Sequence, residues 1–140
     1  MIKTAKQIEG DIIALLCDSD LANSVNGKIY RFGHRPHNSK AEDIIVAFTT
    51  GIPDQIQTGI ITLNIYVPDI EDEDIRIGVM RENERRCEEL EIAASQWVES
   101  LTADKSAYKF TLQQTVYTEE EPEISQHFVV IKLKYKLFIN

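Results

Sequence analysis

The sequence predicts an α+β fold: a mostly antiparallel sheet of about five strands packed by one long helix and a shorter N-terminal helix, in the order α-β-β-β-α-β-β. Three observations lead there. Apolar residues recur at three- and four-residue steps in two separate segments, the mark of helices buried along one stripe. Five other segments are rich in β-branched and aromatic residues and are bounded by turn residues. A length of 140 residues suits one hydrophobic core, so 1–140 reads as a single domain, with no repeat, low-complexity tract or internal linker to divide it.

The first helix is expected over 5–17. Thr4 followed by Gln7 is a capping-box pattern in which hydroxyl and amide satisfy unpaired backbone N–H groups. Ile8, Ile12, Leu15 and Leu16, with Ile13 beside them, form the buried stripe, while Lys6, Glu9 and Asp11 face water. Residues 18–20 and 23–27 supply turn chemistry and end in Asn26-Gly27, ahead of a strand. Strands are expected over 28–33, 43–50, 59–67, 108–117 and 127–139. In the third, Ile61, Leu63, Ile65 and Val67 share one face. In the last, Val129, Ile131, Leu133, Tyr135 and Leu137 point inward, and Lys132, Lys134 and Lys136 form a row on the other side. The long helix is expected over 79–101, with Met80, Cys87, Leu90, Ala94, Trp97, Val98 and Leu101 inward and a solvated, glutamate-rich face opposite.

Fifteen Lys and Arg against 23 Asp and Glu give a net charge of −8, which argues against a protein that binds duplex by neutralising phosphates. Cys17 and Cys87 fall inside helical patterns rather than at disulfide-framework spacings, so both read as buried free thiols. The N-terminus lacks the apolar core of a signal peptide, and no apolar run approaches the ~18 residues that span a bilayer; a soluble protein made in the cytoplasm, with no membrane partner, is expected.

Four segments bear on function. The connection Gly51-Ile52-Pro53-Asp54-Gln55-Ile56-Gln57-Thr58 is longer than a tight turn and carries two isoleucines, which either form a contact surface or fold back on the sheet edge. Asp69-Ile70-Glu71-Asp72-Glu73-Asp74 is dense in acid but lacks the spacing of a calcium loop, so it reads as a solvated loop. Glu119-Glu120-Glu121-Pro122-Glu123 reads as an acidic hairpin loop projecting into solvent. His34 and His37 lie in a turn, and His127 starts the last strand, without further ligands at zinc spacing. No phosphate loop, nucleophile elbow or metal-binding helix motif is present; no enzyme activity, cofactor or metal is expected. The row Lys132, Lys134 and Lys136 is either a solvated sheet face or, on so acidic a chain, a match for an acidic loop on a neighbouring copy, the charge separation a head-to-tail ring needs.

The chain resembles the tail terminator, or tail completion, proteins of long-tailed bacteriophages. The likeness runs through the N-terminal helix ending Ala14-Leu15-Leu16-Cys17-Asp18-Ser19-Asp20-Leu21, the short strand Gly27-Lys28-Ile29-Tyr30, and Glu42-Asp43-Ile44-Ile45-Val46-Ala47-Phe48. It continues in Ile61-Thr62-Leu63-Asn64-Ile65-Tyr66-Val67-Pro68, the long helix with Trp97 and the closing Val130-Ile131-Lys132-Leu133-Lys134-Tyr135. Where family members often carry a proline before the second strand, this chain has Lys40-Ala41-Glu42-Asp43. The resemblance implies a non-enzymatic ring, typically a homo-hexamer, in the virion tail of a phage or prophage, assembled in the bacterial host cytoplasm. Such a ring caps the tail tube protein, stops its polymerisation and offers a docking surface to the head-tail connector protein, with DNA only passing through the lumen. On this chain, tube or subunit contact is expected at Ile52, Pro53, Asp54, Gln55, Ile56 and Gln57. Lumen or inter-subunit charge is expected at Glu71, Asp72, Glu73, Asp74, Glu119, Glu120, Glu121, Lys132, Lys134 and Lys136. The alternatives are a head-tail connector or neck protein, and, from another class, a small ligand-binding α+β domain whose sheet and helix enclose a pocket.

Overall fold

Thr4 starts helix α1 (Ala5–Cys17) as its sequence dictates: the Gln7 N–H donates to the Thr4 hydroxyl, and the Thr4 N–H donates to the Gln7 side chain at 2.9 Å. The computed structural model describes residues 2–72, 78–101 and 107–138. A short helix α2 (Asp20–Ser24), capped by Ser19, follows directly. It occupies part of the stretch expected to be turn, because Ser19 caps it and Leu21 is fully buried against the core.

One six-stranded sheet carries the rest, in the order β1-β2-β3-β8-β6, with β7 also bonded to β8. Its strands are β1 (Ile29–Arg31), β2 (Ile44–Ile52), β3 (Ile56–Pro68), β6 (Tyr108–Leu112), β7 (Tyr117–Glu121) and β8 (Gln126–Phe138). All pairings are antiparallel except β1 with β2, so the α+β class and the mainly antiparallel sheet stand. Strands β3 and β8 pair along their whole 13-residue lengths and form the spine. Helices α1 and α3 (Glu84–Ser100) cover one side, burying Ile12, Leu16, Ile61, Leu63, Ile65, Leu90, Ile131 and Leu133 completely. Against this layer Tyr135 lies over the opposed pair Gly51 and Gly59, where a Cβ on either would collide with its hydroxyl.

Several expectations are corrected. Helix α3 begins at Glu84, not at residue 79, because Asn83 caps it by accepting the Arg86 N–H. The residues before it form a two-stranded hairpin, β4 (Ile70–Glu71) with β5 (Met80–Arg81), so Met80 is exposed instead of lying on the helix stripe. The expected strand over 108–117 stops at Leu112 as β6, and β7 starts only at Tyr117 and runs on to Glu121, both bonded to β8. Cys17, the last residue of α1, is exposed; only Cys87 is buried. Glu9 is buried instead of facing water, since it accepts bonds from the Phe48 N–H at 3.0 Å and from Arg31 at 2.8 Å.

Candidate interaction surface

The side of the sheet turned away from the helices is closed at one end and open at the other. Closure comes from the 32–43 connection. Arg35 stacks on the Tyr66 ring at 4.0 Å and donates to Asp43 at 2.8 Å, to the Gln126 side chain and to the Ser39 and Ala41 carbonyls. Asp43 also accepts from Ser39 and from the Lys28 N–H. Burial pushes the Asp43 carboxyl upward, but the bonds from Ser39, the Lys28 amide and Arg35 together hold it below the ordinary aspartate range. A second bridge, Arg86 to Glu42 at 2.6 Å, ties α3 to the same corner, and Arg86 also donates to the Ser24 carbonyl.

Toward the β2–β3 hairpin no described residue covers the same side, and strand alternation decides what it shows. On β8 the outward residues are Lys132, Lys134, Lys136 and Phe138, the last three exposed. Strand β6 adds Lys109 directly opposite Lys136 and Thr111 opposite Lys134. Strand β3 contributes Ile56 opposite Phe138, Thr58 opposite Lys136 and Ile60 opposite Lys134, and β2 brings Ile52 opposite Thr58. Ile52 is 64% exposed, Ile56 46% and Phe138 39%. Lys109, Thr111, Lys134 and Lys136 line a hollow of about 240 Å³. Among the described residues none of the four lysines has an ion-pair partner. Directly opposed like charges destabilise a sheet, so Lys109 facing Lys136 does not serve the isolated fold.

The hairpin connection is shorter than the sequence suggests, because β2 runs to Ile52 and β3 starts at Ile56, leaving Pro53, Asp54 and Gln55 as an exposed turn. Gln57 is buried on the helix side, where its amide group bonds the Lys3 backbone in both directions at 2.7 and 3.0 Å; it is no surface contact. Glu119, Glu120 and Glu121 lie in strand β7 instead of a projecting loop, paired with Phe128, His127 and Gln126, where charge guards a sheet edge. The acidic stretch after Pro68 is likewise structured in part: Asp69 bonds His127 at 2.6 Å, Glu71 sits exposed in β4, and Asp72 is buried with Arg81 at 3.9 Å. Glu73 and Asp74 lie outside the described residues.

Other chemistry is dispersed. His34 and His37 are exposed, and His127 is held by Asp69 and Glu82; among the described residues no three His, Cys, Asp or Glu side chains are placed to hold a metal ion. Burial, then Glu82 and Glu91, push the Cys87 thiol up to about 12, leaving it protonated and inert. A groove of about 540 Å³ between α1, α2 and α3 is lined by Leu15, Leu21, Trp97 and Leu101 with Asp18 and Asp20 at its side, and among the described residues its lining holds no His, Lys or Arg.

Two members of the open surface, Lys109 and Phe138, escaped sequence reasoning. Lys109 alternates with Tyr108 and Phe110, which was signal enough to put it on the lysine side; what sequence alone lacks is the pairing that sets it beside Lys136. No family model matches the chain, and no curated protein matches it.

Proposed function

We propose that this protein is a structural, non-enzymatic tail terminator: copies of the chain close into a ring that caps a phage tail tube, ends its polymerisation and presents a docking surface to the head. The observation that supports this reading is the open sheet surface, where four lysines without acid partners among the described residues and three exposed apolar side chains gather on a chain of net charge −8. Surfaces of opposite sign on one molecule favour association of copies and fix its orientation. Ile52, Ile56 and the 53–55 turn are the tube contact in this reading. The glutamates of β7 and Glu71 line the lumen, where like charge keeps phosphates from adhering.

Tube capping tests it. Purified protein added to polymerising tail tubes should give tubes of limited length with a ring at one end in negative stain. The double variant Ile52→Ser, Ile56→Ser should lose capping while its circular dichroism and melting stay those of a folded monomer. Capping that survives in the variant removes the hairpin from the contact; a wild-type chain that neither forms rings nor binds tubes overturns the terminator reading.

A further inference from the structure

We propose that the open lysine surface docks the outer face of helix α3 from a second copy of this chain. The proposal rests on the ring reading only in that copies must associate. Helix α3 uses Cys87, Leu90, Ala94, Trp97 and Val98 inward, which leaves Glu84, Glu88 and Ile92 four residues apart along its outer side. Ile92 is 52% exposed, and Glu84 and Glu88 have no cation partner among the described residues. Like charges at this spacing weaken an isolated helix, so the stripe, like the lysine pair on the sheet, works against the monomer.

The two stripes match in spacing as well as sign. On a helix rising 1.5 Å per residue, Ile92 lies about 6 Å from Glu88 and about 12 Å from Glu84. On β8, at about 3.3 Å per residue, Phe138 lies about 7 Å from Lys136 and about 13 Å from Lys134. One helix laid along β8 therefore sets Ile92 on Phe138, Glu88 between Lys136 and its neighbour Lys109, and Glu84 on Lys134. A helix over a sheet is the packing that the covered side already uses. Ile52 lies on β2, two strands or about 10 Å away, so it remains open to the tube. Because the two surfaces differ and lie on opposite layers, the contact is heterologous: every copy uses both, and closure gives a ring instead of a two-fold dimer.

Charge-reversal pairing tests this contact. Self-association of the wild type and of two surface variants, Lys134→Glu with Lys136→Glu and Glu84→Lys with Glu88→Lys, is followed by sedimentation velocity over a concentration series at low and high salt. All four substituted side chains are exposed, and circular dichroism verifies the fold. The wild type should associate, less so at high salt. Each variant alone should associate at least about tenfold more weakly, and an equimolar mixture should regain association, since each variant then meets the opposite charge. Variants that associate like the wild type, or a mixture that recovers nothing, overturn the contact while leaving the ring reading intact. A wild type that stays monomeric also overturns it, and tube capping by that same protein then decides the ring reading separately. Binding of a short DNA duplex that is lost in the lysine variant, without self-association, assigns the surface to nucleic acid and overturns the proposal.

Discussion

Strand β8 carries two chemistries on its two sides. Val129, Ile131, Leu133, Tyr135 and Leu137 are each at most 2% exposed beneath the helices, while Lys132, Lys134, Lys136 and Phe138 alternate with them on the other side. The first set is what folds the chain; the second contributes like-charge repulsion and exposed apolar area that folding does not use. One parity of this strand carries stability and the other carries the surface proposed for recognition, so the two can be disturbed one at a time. The open side repeats the contrast along its length, locked by Arg35 at one end and bare at the other.

The largest break expected in that contrast is at the locked end. Arg35→Ala strips Asp43 of its guanidinium partner, leaving a carboxylate whose side chain is 2% exposed; a loss of about 3–5 kcal/mol is expected in urea unfolding. The acid limb should change with it. Because the folded-state values of Asp43 and Glu9 lie below their unfolded ones, their stabilisation is full above the ordinary carboxylate range and fades as pH falls through the folded values. The variant should therefore show a flatter loss of stability on acidification than the wild type. Leu133→Ala, on the covered side, should cost about 2–5 kcal/mol by thermal unfolding, since it empties a site with no exposure.

On the bare end the same measurement should barely move. Lys134→Glu with Lys136→Glu is expected within about 0.5 kcal/mol of wild type in the monomer, with relief of the Lys109–Lys136 repulsion acting in its favour. A larger loss would mean that this side holds the fold after all. The smallest perturbation is thiol labelling: native protein should react once and quickly, at exposed Cys17, and Cys87 should react only after denaturation.

Much of this division was legible in the sequence, because a period of two writes both sides of β3 and β8 into alternating residues. The capping box of α1 and the buried stripe of α3 were legible for the same reason of local repetition. What was hidden is non-local or too short to repeat. Two-residue strands have no period, so β4 and β5 vanished into an acidic loop and a helix start, although Gly78, with its φ of 84°, marks the turn between them. Glu9 reads as a surface residue until Arg31 and the Phe48 amide are brought to it by the fold, 22 and 39 residues on. The acids at 119–121 look like a loop because strand propensity disfavours them, and their pairing partners on β8 override it.

The order of the strands has a kinetic meaning. Strand β8 bonds β3 on one side and β6 and β7 on the other, and every one of those strands precedes it in the chain. During synthesis β3 therefore leaves the ribosome with one edge unbonded and Ile61, Leu63 and Ile65 still lacking the strand that completes their layer. The nascent chain passes through a state with an apolar half-sheet and a free edge, the kind of species that aggregates or recruits chaperones, until β8 emerges and inserts between its neighbours in one late step.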